Sequence, residues 1–146
     1  MSLEENKTIV RRMYEEILNE GNLALADEII APDAVSHDPA APPGSLPGPE
    51  GLKRVVRMLR SAFPDHHTTI EEIIAEGDKV VMRGTLSGTH RGDFLGIPPT
   101  GKHFTMTQIH IFRLVDGKVT DHWVNRDDLG MMQQLGVIPV PQQEHL

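Results

Sequence analysis

The chain has 146 residues, with 14 Lys and Arg against 21 Asp and Glu, a formal charge of −7, and no cysteine. That length suits one domain, residues 1–146, with a real core and an internal cavity, while the acid excess without a basic run argues against nucleic acid or an anionic membrane surface as a partner. Without cysteine there is no disulfide or thiolate chemistry, and with neither a run near the ~20 apolar residues of a membrane span nor a signal-peptide pattern the expectation is a soluble cytoplasmic protein.

Ser2 and Glu5 fit a capping box for a first helix, whose apolar positions Val10, Met13, Tyr14 and Ile17 recur every three to four residues until Gly21 stops the run. A short second helix is predicted over 23–30, with Asn22 as its cap and Pro32 as its terminator, then a short strand over 34–37. Pro39, Pro42, Pro43, Pro47 and Pro49 break the following segment into a loop. Pro49 suits the first position of a third helix that carries Leu52, Val55, Val56, Leu59 and Phe63 on one side and ends at Pro64.

From His67 the period changes to two. Strands are predicted over 68–75 and 79–89, joined at Glu76-Gly77-Asp78, and over 104–115 and 119–125, joined by the hairpin turn Asp116-Gly117. Between the pairs, residues 91–101 form a Gly/Pro loop carrying Phe94, Leu95 and Ile97, whose apolar side chains need cover from the fold or from a partner. Helices first, then antiparallel strands, then a terminal amphipathic helix after Asp128 make an α+β arrangement: a bent sheet with the N-terminal helices over one face. Strand alternation sets Asp121, Trp123, Asn125 and Asp127 on one face, and an acid beside an indole in an apolar pocket suits a general base.

Five segments in order resemble the SnoaL-like polyketide cyclases, also called ester cyclases, of the nuclear-transport-factor-like superfamily. They are residues 12–22 (RMYEEILNEGN, the opening helix), 35–39 (VSHDP), 88–102 (GTHRGDFLGIPPTGK), 109–123 (IHIFRLVDGKVTDHW) and the last strand-to-helix stretch 121–136 (DHWVNRDDLGMMQQLG), together nearly the whole chain. The resemblance implies a cone-shaped, strongly bent, mostly antiparallel sheet whose concave face is covered by the N-terminal helices, with a short C-terminal helix, and it implies a homodimer. It also implies ring closure by intramolecular aldol chemistry on a largely apolar, carbonyl-bearing substrate, without metal or organic cofactor, and an acid/base Asp four residues after the last-strand Trp. That position is Asp127. A ligand-binding sensor with the same cavity and a dimerisation module are the alternatives from other classes.

Asp127 would take a proton from a methylene between carbonyls and return one to the new alkoxide. Its other reading is the cap of the terminal helix, although Asp128 looks the better cap and would leave Asp127 free to face the cavity. His110 shares a strand face with Met106, Gln108 and Phe112, so it either holds a substrate carbonyl or is a satisfied structural histidine. Trp123 reads as cavity wall or core, His37 as a mouth residue or an exposed loop edge, and Tyr14 as a core residue or a hydroxyl offered to ligand. Asn125 and Gln108 complete the candidate binding set. Val124, Asn125 and Arg126 stand where relatives are more apolar. Asp121 lies six residues before Asp127, roughly 20 Å along an extended strand, too far for a close carboxylate pair. The eight histidines show no H-E-x-x-H spacing, so no metal site is expected.

Overall fold

The computed structural model describes residues 1–40 and 47–141. Helix α1, Leu3–Arg12, starts on the expected capping box: Ser2 accepts from the Glu5 amide at 3.1 Å and Glu5 accepts from the Ser2 amide at 3.2 Å. The helix continues as a wider π turn over Met13–Asn19. The predicted stripe Val10, Met13, Tyr14 and Ile17 is buried, and the Asn19 amide pairs with both backbone groups of Thr68 at 2.9 and 2.8 Å, fastening this helix to the sheet.

A short 3-10 turn, Leu23–Leu25, leads into α2, Ala26–Ile29, and strand β1 begins at once, Ile30–Ser36. The second helix is therefore shorter than predicted, and Asn22 makes no side-chain cap. Pro32 lies inside β1 instead of ending a helix. The strand is at the edge of the sheet and its pairing is irregular between Ile30 and Val35, where a residue without an N–H is tolerated. Pro42 and Pro43 of the proline loop fall outside the described residues. Helix α3, Gly48–Ala62, starts one residue before Pro49 and buries Val56 while Val55 on its outer side is exposed, so that position leaves the predicted stripe.

Strands β2 (His67–Glu76), β3 (Lys79–Thr89), β4 (His103–Val115) and β5 (Lys118–Arg126) match the predicted pairs closely. The β4–β5 turn places Asp116 at φ 50° and Gly117 at φ 79°, the left-handed pair that an Asp-Gly hairpin supplies. The sheet runs β1-β5-β4-β3-β2, antiparallel except for the parallel β1–β5 edge, and it is curled but not closed. Bulges in β2 and β5 deepen the curl.

Two apolar clusters fill the concave side. The larger joins the N-terminal helices and α3 to Val80, Met82, Phe112, Leu114 and Val119. The smaller gathers Phe63, Leu86, Phe104 and Met106 around helix α4, Asp128–Gln134. Phe94 of the Gly/Pro loop belongs to this second cluster, 5.1 Å from the Phe63 ring, while Leu95 stays exposed at φ 49°. The loop thus finds its cover within the fold through Phe94 and, partly buried against the same cluster, Ile97.

Candidate functional site

The inner face of the sheet is decided by pairing across strands. Along β4 the even-numbered residues Phe104 to Leu114 are buried, and His110 pairs with Val124, Phe112 with His122 and Gln108 with Arg126. Strand β5 begins with Val119 inward against Leu114, yet Asp121 is already opposite Arg113, so Thr120 is an extra residue. Its hydroxyl turns onto the Arg113 carbonyl and the Asp121 carboxylate, at 3.4 and 2.9 Å. That bulge reverses the alternation. His122, Val124 and Arg126 face inward, and Asp121, Trp123 and Asn125 face outward.

The inward row is polar and connected. Ser36 Oγ lies 3.0 Å from His122 Nδ1, His122 Nε2 lies 2.8 Å from His110 Nδ1, and His110 Nε2 lies 2.8 Å from Gln108 Oε1. The Gln108 amide NH2 in turn reaches Met106 Sδ at 3.4 Å. His110, His122 and Phe112 stack, with ring centroids 4.8–5.9 Å apart, and Tyr14 meets His110 edge-on at 5.4 Å. Beside this row Arg126 Nη2 donates to Asp38 Oδ2 at 2.7 Å, and the Ala40 amide holds the other Asp38 oxygen at 2.9 Å.

Burial decides the charge states here. It pushes the His110 imidazolium well below its ordinary range, with the His122 and Arg126 charges adding to the effect. Burial likewise brings His122 down to about 4, against the pull of Asp38. Both rings are therefore neutral at pH 7. Burial raises the Tyr14 hydroxyl, which stays protonated. For Asp38, burial acts to raise the carboxyl, but the Arg126 hydrogen bond, the Ala40 amide and the neighbouring positive charges prevail and hold it low.

The remaining candidates are elsewhere. His37 stacks on Trp123 at 4.9 Å and pairs with Asp121 at 3.0 Å on the outer face, so Trp123 lies on the opposite face of the sheet from His110. Asn125 and Asp127 are exposed and line an open groove of about 380 Å³ with Arg83, Gly84, Thr107, Gln108, Ile109 and Arg126. Asp127, not Asp128, is the helix cap: its carboxylate accepts from the Gly130 amide at 2.9 Å. Asp128 sits in the first turn, and burial raises its carboxyl. The structure thus unites His110, Gln108 and Tyr14, places Trp123 and His37 on the outer face, and leaves Asp127 and Asn125 in a groove that Gln108 also borders.

Sequence reasoning gave no role to Ser36, Asp38, His122 and Arg126. Their signal was the run of polar residues at 122 and 126 flanking Val124, readable only once the bulge is known. Among the described residues no cluster of three or more His, Asp or Glu is arranged to hold a metal ion, and no helix is long and apolar enough to cross a membrane.

The SnoaL-like polyketide cyclase family model matches residues 8–135. The chain belongs to this family. It is 37% identical over 135 residues to the aklanonic acid methyl ester cyclase DauD of Streptomyces sp. (strain C5), covering 88% of this chain and 80% of that protein. It is 36% identical over 121 residues to the nogalonic acid methyl ester cyclase of Streptomyces nogalater, covering 81% and 88%. TsrD from Streptomyces laurentii superposes with a TM-score of 0.85 at 30% identity over 94% of this chain and 99% of that one. IdmH from Streptomyces antibioticus gives 0.78 at 38% identity, covering 90% and 99%. The family is one of small-molecule cyclases, so the enzyme reading stands ahead of the sensor and dimerisation-module readings.

Proposed function

We propose that this protein closes a ring in a polyketide methyl ester by an intramolecular aldol step, without metal or organic cofactor, on the concave side of the sheet. The observation that carries the reading is the row Ser36–His122–His110–Gln108, which runs from an exposed hydroxyl to the buried His110 and Gln108 and whose two imidazoles are both neutral. A neutral imidazole N–H is a hydrogen-bond donor, and a ketone oxygen that takes the place of Gln108 Oε1, now 2.8 Å from His110 Nε2, would meet it as negative charge develops. Tyr14 and Phe112 give the aromatic wall against which a flat substrate packs.

In the reaction the methylene between two carbonyls loses a proton and its carbon attacks the ketone. The resulting alkoxide accepts a hydrogen bond from His110 Nε2 and takes up the proton that the methylene released, so substrate and product are isomers. A methylene of that kind delocalises its own carbanion, so a weak base suffices. Asp127 is assigned to the cap rather than to this base, because its exposed carboxylate is engaged by the Gly130 amide.

The test is incubation with aklanonic acid methyl ester, the substrate class named for the relatives, followed by chromatography and mass spectrometry. The expected product has the mass of the substrate and a different retention time, and His110→Phe lowers its rate on the order of 10²-fold or more. Substrate recovered unchanged, or full activity in His110→Phe, overturns the reading.

A homodimer formed through the outer sheet face is proposed with it. Ile74, Val81, Ile111 and Trp123 are register partners across four strands, an apolar belt on the outside of the sheet, with Ile74 and the nearby Ile109 more than half exposed.

A further inference from the structure

We propose that Arg126 is the anion-binding group of the concave side, where its unpaired N–H groups receive the enolate oxygens formed when the substrate's methylene loses its proton. This rests on the functional reading above and names the residue that holds the charge.

Strand β5 brings Arg126 inward beside Gln108, its register partner on β4, and register partners carry Cβ atoms about 5 Å apart. Gln108 Oε1 in turn lies 2.8 Å from His110 Nε2. The guanidinium therefore stands next to the place where a ketone oxygen would meet His110. Gln108 and Arg126 also border the open groove of about 380 Å³, which gives a small molecule access to that corner. An aldol step needs this adjacency. Its enolate oxygen and its ketone oxygen are separated only by the carbons around the new bond, so the groups that bind them have to be neighbours.

Arg126 has donors to spare. Its side chain is 22% exposed, and Nη2 donates to Asp38 Oδ2 at 2.7 Å. Its other N–H groups find no acceptor among the described residues. After burial, the Arg126 charge also acts on Tyr14, His110 and His122, which sets it within reach of the rings on this side. A purely structural tie explains less. Strand β1 is already fastened to β5 here, because Ser36 pairs with His122 and the His37 amide donates to the His122 carbonyl at 2.7 Å. Burying a guanidinium costs free energy that a single carboxylate contact offsets only in part, and this chain sets the cation where relatives are more apolar.

The methylene C–H bond breaks, its electron pair becomes the enolate, and the charge spreads over two oxygens that can point the same way. A planar fork of charged donors fits such a pair as it fits a carboxylate. When the enolate carbon bonds to the ketone carbon, the carbonyl π pair moves onto the ketone oxygen beside His110. The proton taken from the methylene is returned there. Arg126 stays protonated throughout, so its role is the same whichever group carries that proton. The enolate charge is absent from the neutral substrate, so the interaction speeds the step more than it tightens substrate binding.

Calorimetry with 4-hydroxycoumarin tests the site without turnover. This flat β-dicarbonyl is an enolate anion at pH 7, and coumarin, which lacks the hydroxyl, is its neutral control. Arg126→Met is expected to bind 4-hydroxycoumarin roughly tenfold or more weakly than the parent, with coumarin unaltered. Asp38→Asn is expected to bind the anion as tightly as the parent or more so, because it removes a competing charge and keeps an oxygen for Arg126. A structural tie predicts instead the same loss in both variants. The anion site is refuted by a parent that does not bind 4-hydroxycoumarin, by equal binding in the parent and Arg126→Met, or by a tenfold loss in Asp38→Asn. Arg126→Gln takes the place of Arg126→Met if thermal melts show the latter unfolded. With aklanonic acid methyl ester, Arg126→Met is expected to lower kcat on the order of 10²-fold with KM within about threefold, and Arg126→Lys to recover part of the loss. If the parent closes the ring and Arg126→Met does so at the parental rate, the anion site fails and the functional reading stands. If the parent leaves the ester unchanged, the functional reading fails, and the calorimetry alone decides the anion site.

Discussion

Replacing Asp127 separates its two roles more sharply than any other change in the molecule. Its carboxylate takes one hydrogen bond, from the Gly130 amide at 2.9 Å, at the start of a seven-residue helix that buries Met131 and is followed by the C-cap Leu135, each at 1% exposure. Removing an N-cap acceptor costs about 1 kcal/mol, and because this helix closes the second apolar cluster the loss is felt globally. For a domain of this size that is roughly 3–4 °C of melting temperature in Asp127→Ala. Asp127→Asn keeps an oxygen in place and should melt within about 1 °C of the parent. Turnover should remain within roughly twofold in both, since the carboxylate is outside the imidazole row. Gly130→Ala adds a control, because its Cβ would lie 2.1 Å from Asp127 Oδ2 and 2.7 Å from Cγ, forcing the cap apart. There the gain of about 1 kcal/mol from Gly to Ala in a helix offsets the lost cap, and the melting temperature moves little. The assays are thermal melts by circular dichroism and initial rates of ring closure. Asp127→Asn with a parental melt and a rate loss of about 10²-fold or more would refute the assignment and restore Asp127 as the acid/base.

Two further outcomes follow from charge and surface. His110 and His122 titrate lower in the fold than in the unfolded chain, so the unfolded state binds protons first; their contribution to stability is complete above the ordinary histidine pKa and is lost as pH falls towards about 4. For His122 alone this amounts to roughly 2 kcal/mol between pH 7.5 and 5, read by urea unfolding, and His122→Gln should flatten that slope; a parent equally stable at both pH values would contradict the neutral pair. Light scattering on the purified protein should give a dimer, and Ile109→Asp, on the outer face and 51% exposed, should shift it to monomer; a parent that is monomeric at all accessible concentrations removes the assembly.

Most of the fold was legible because its signals are local. The capping box at Ser2 and Glu5, the 3.6-residue stripe from Val10 to Ile17, the alternation of β3 and β4 and the Asp116-Gly117 turn each specify their element within a few residues. The misplaced features depend on partners distant in sequence. Pro32 ends a helix by local rules, but it is accommodated in β1 because the strand is an edge with irregular pairing to β5. Asp128 looks like a cap on spacing, yet the strand leaves β4 only after the Asp127 amide has bonded to the Thr107 carbonyl at 3.1 Å, and this sets Asp127 at the helix start.

The candidate site was half legible for a related reason. His110 and Gln108 lie on a strand whose alternation is unbroken, so their shared inner face could be read directly. Their partners on β5 could not. A strand without Thr120 as a bulge would continue the parity begun by Val119 and turn Asp121, Trp123 and Asn125 inward, which is the pocket that an acid beside an indole suggests. Nothing in residues 118–126 announces the extra residue; it exists because Leu114 stays opposite Val119 while Arg113 meets Asp121. One inserted residue therefore moves the acid and the indole outward and brings His122 and Arg126 inside. It sets imidazoles on the concave side where unbroken alternation would set the Asp121 carboxylate, and the polar row there depends on that register more than on any single side chain.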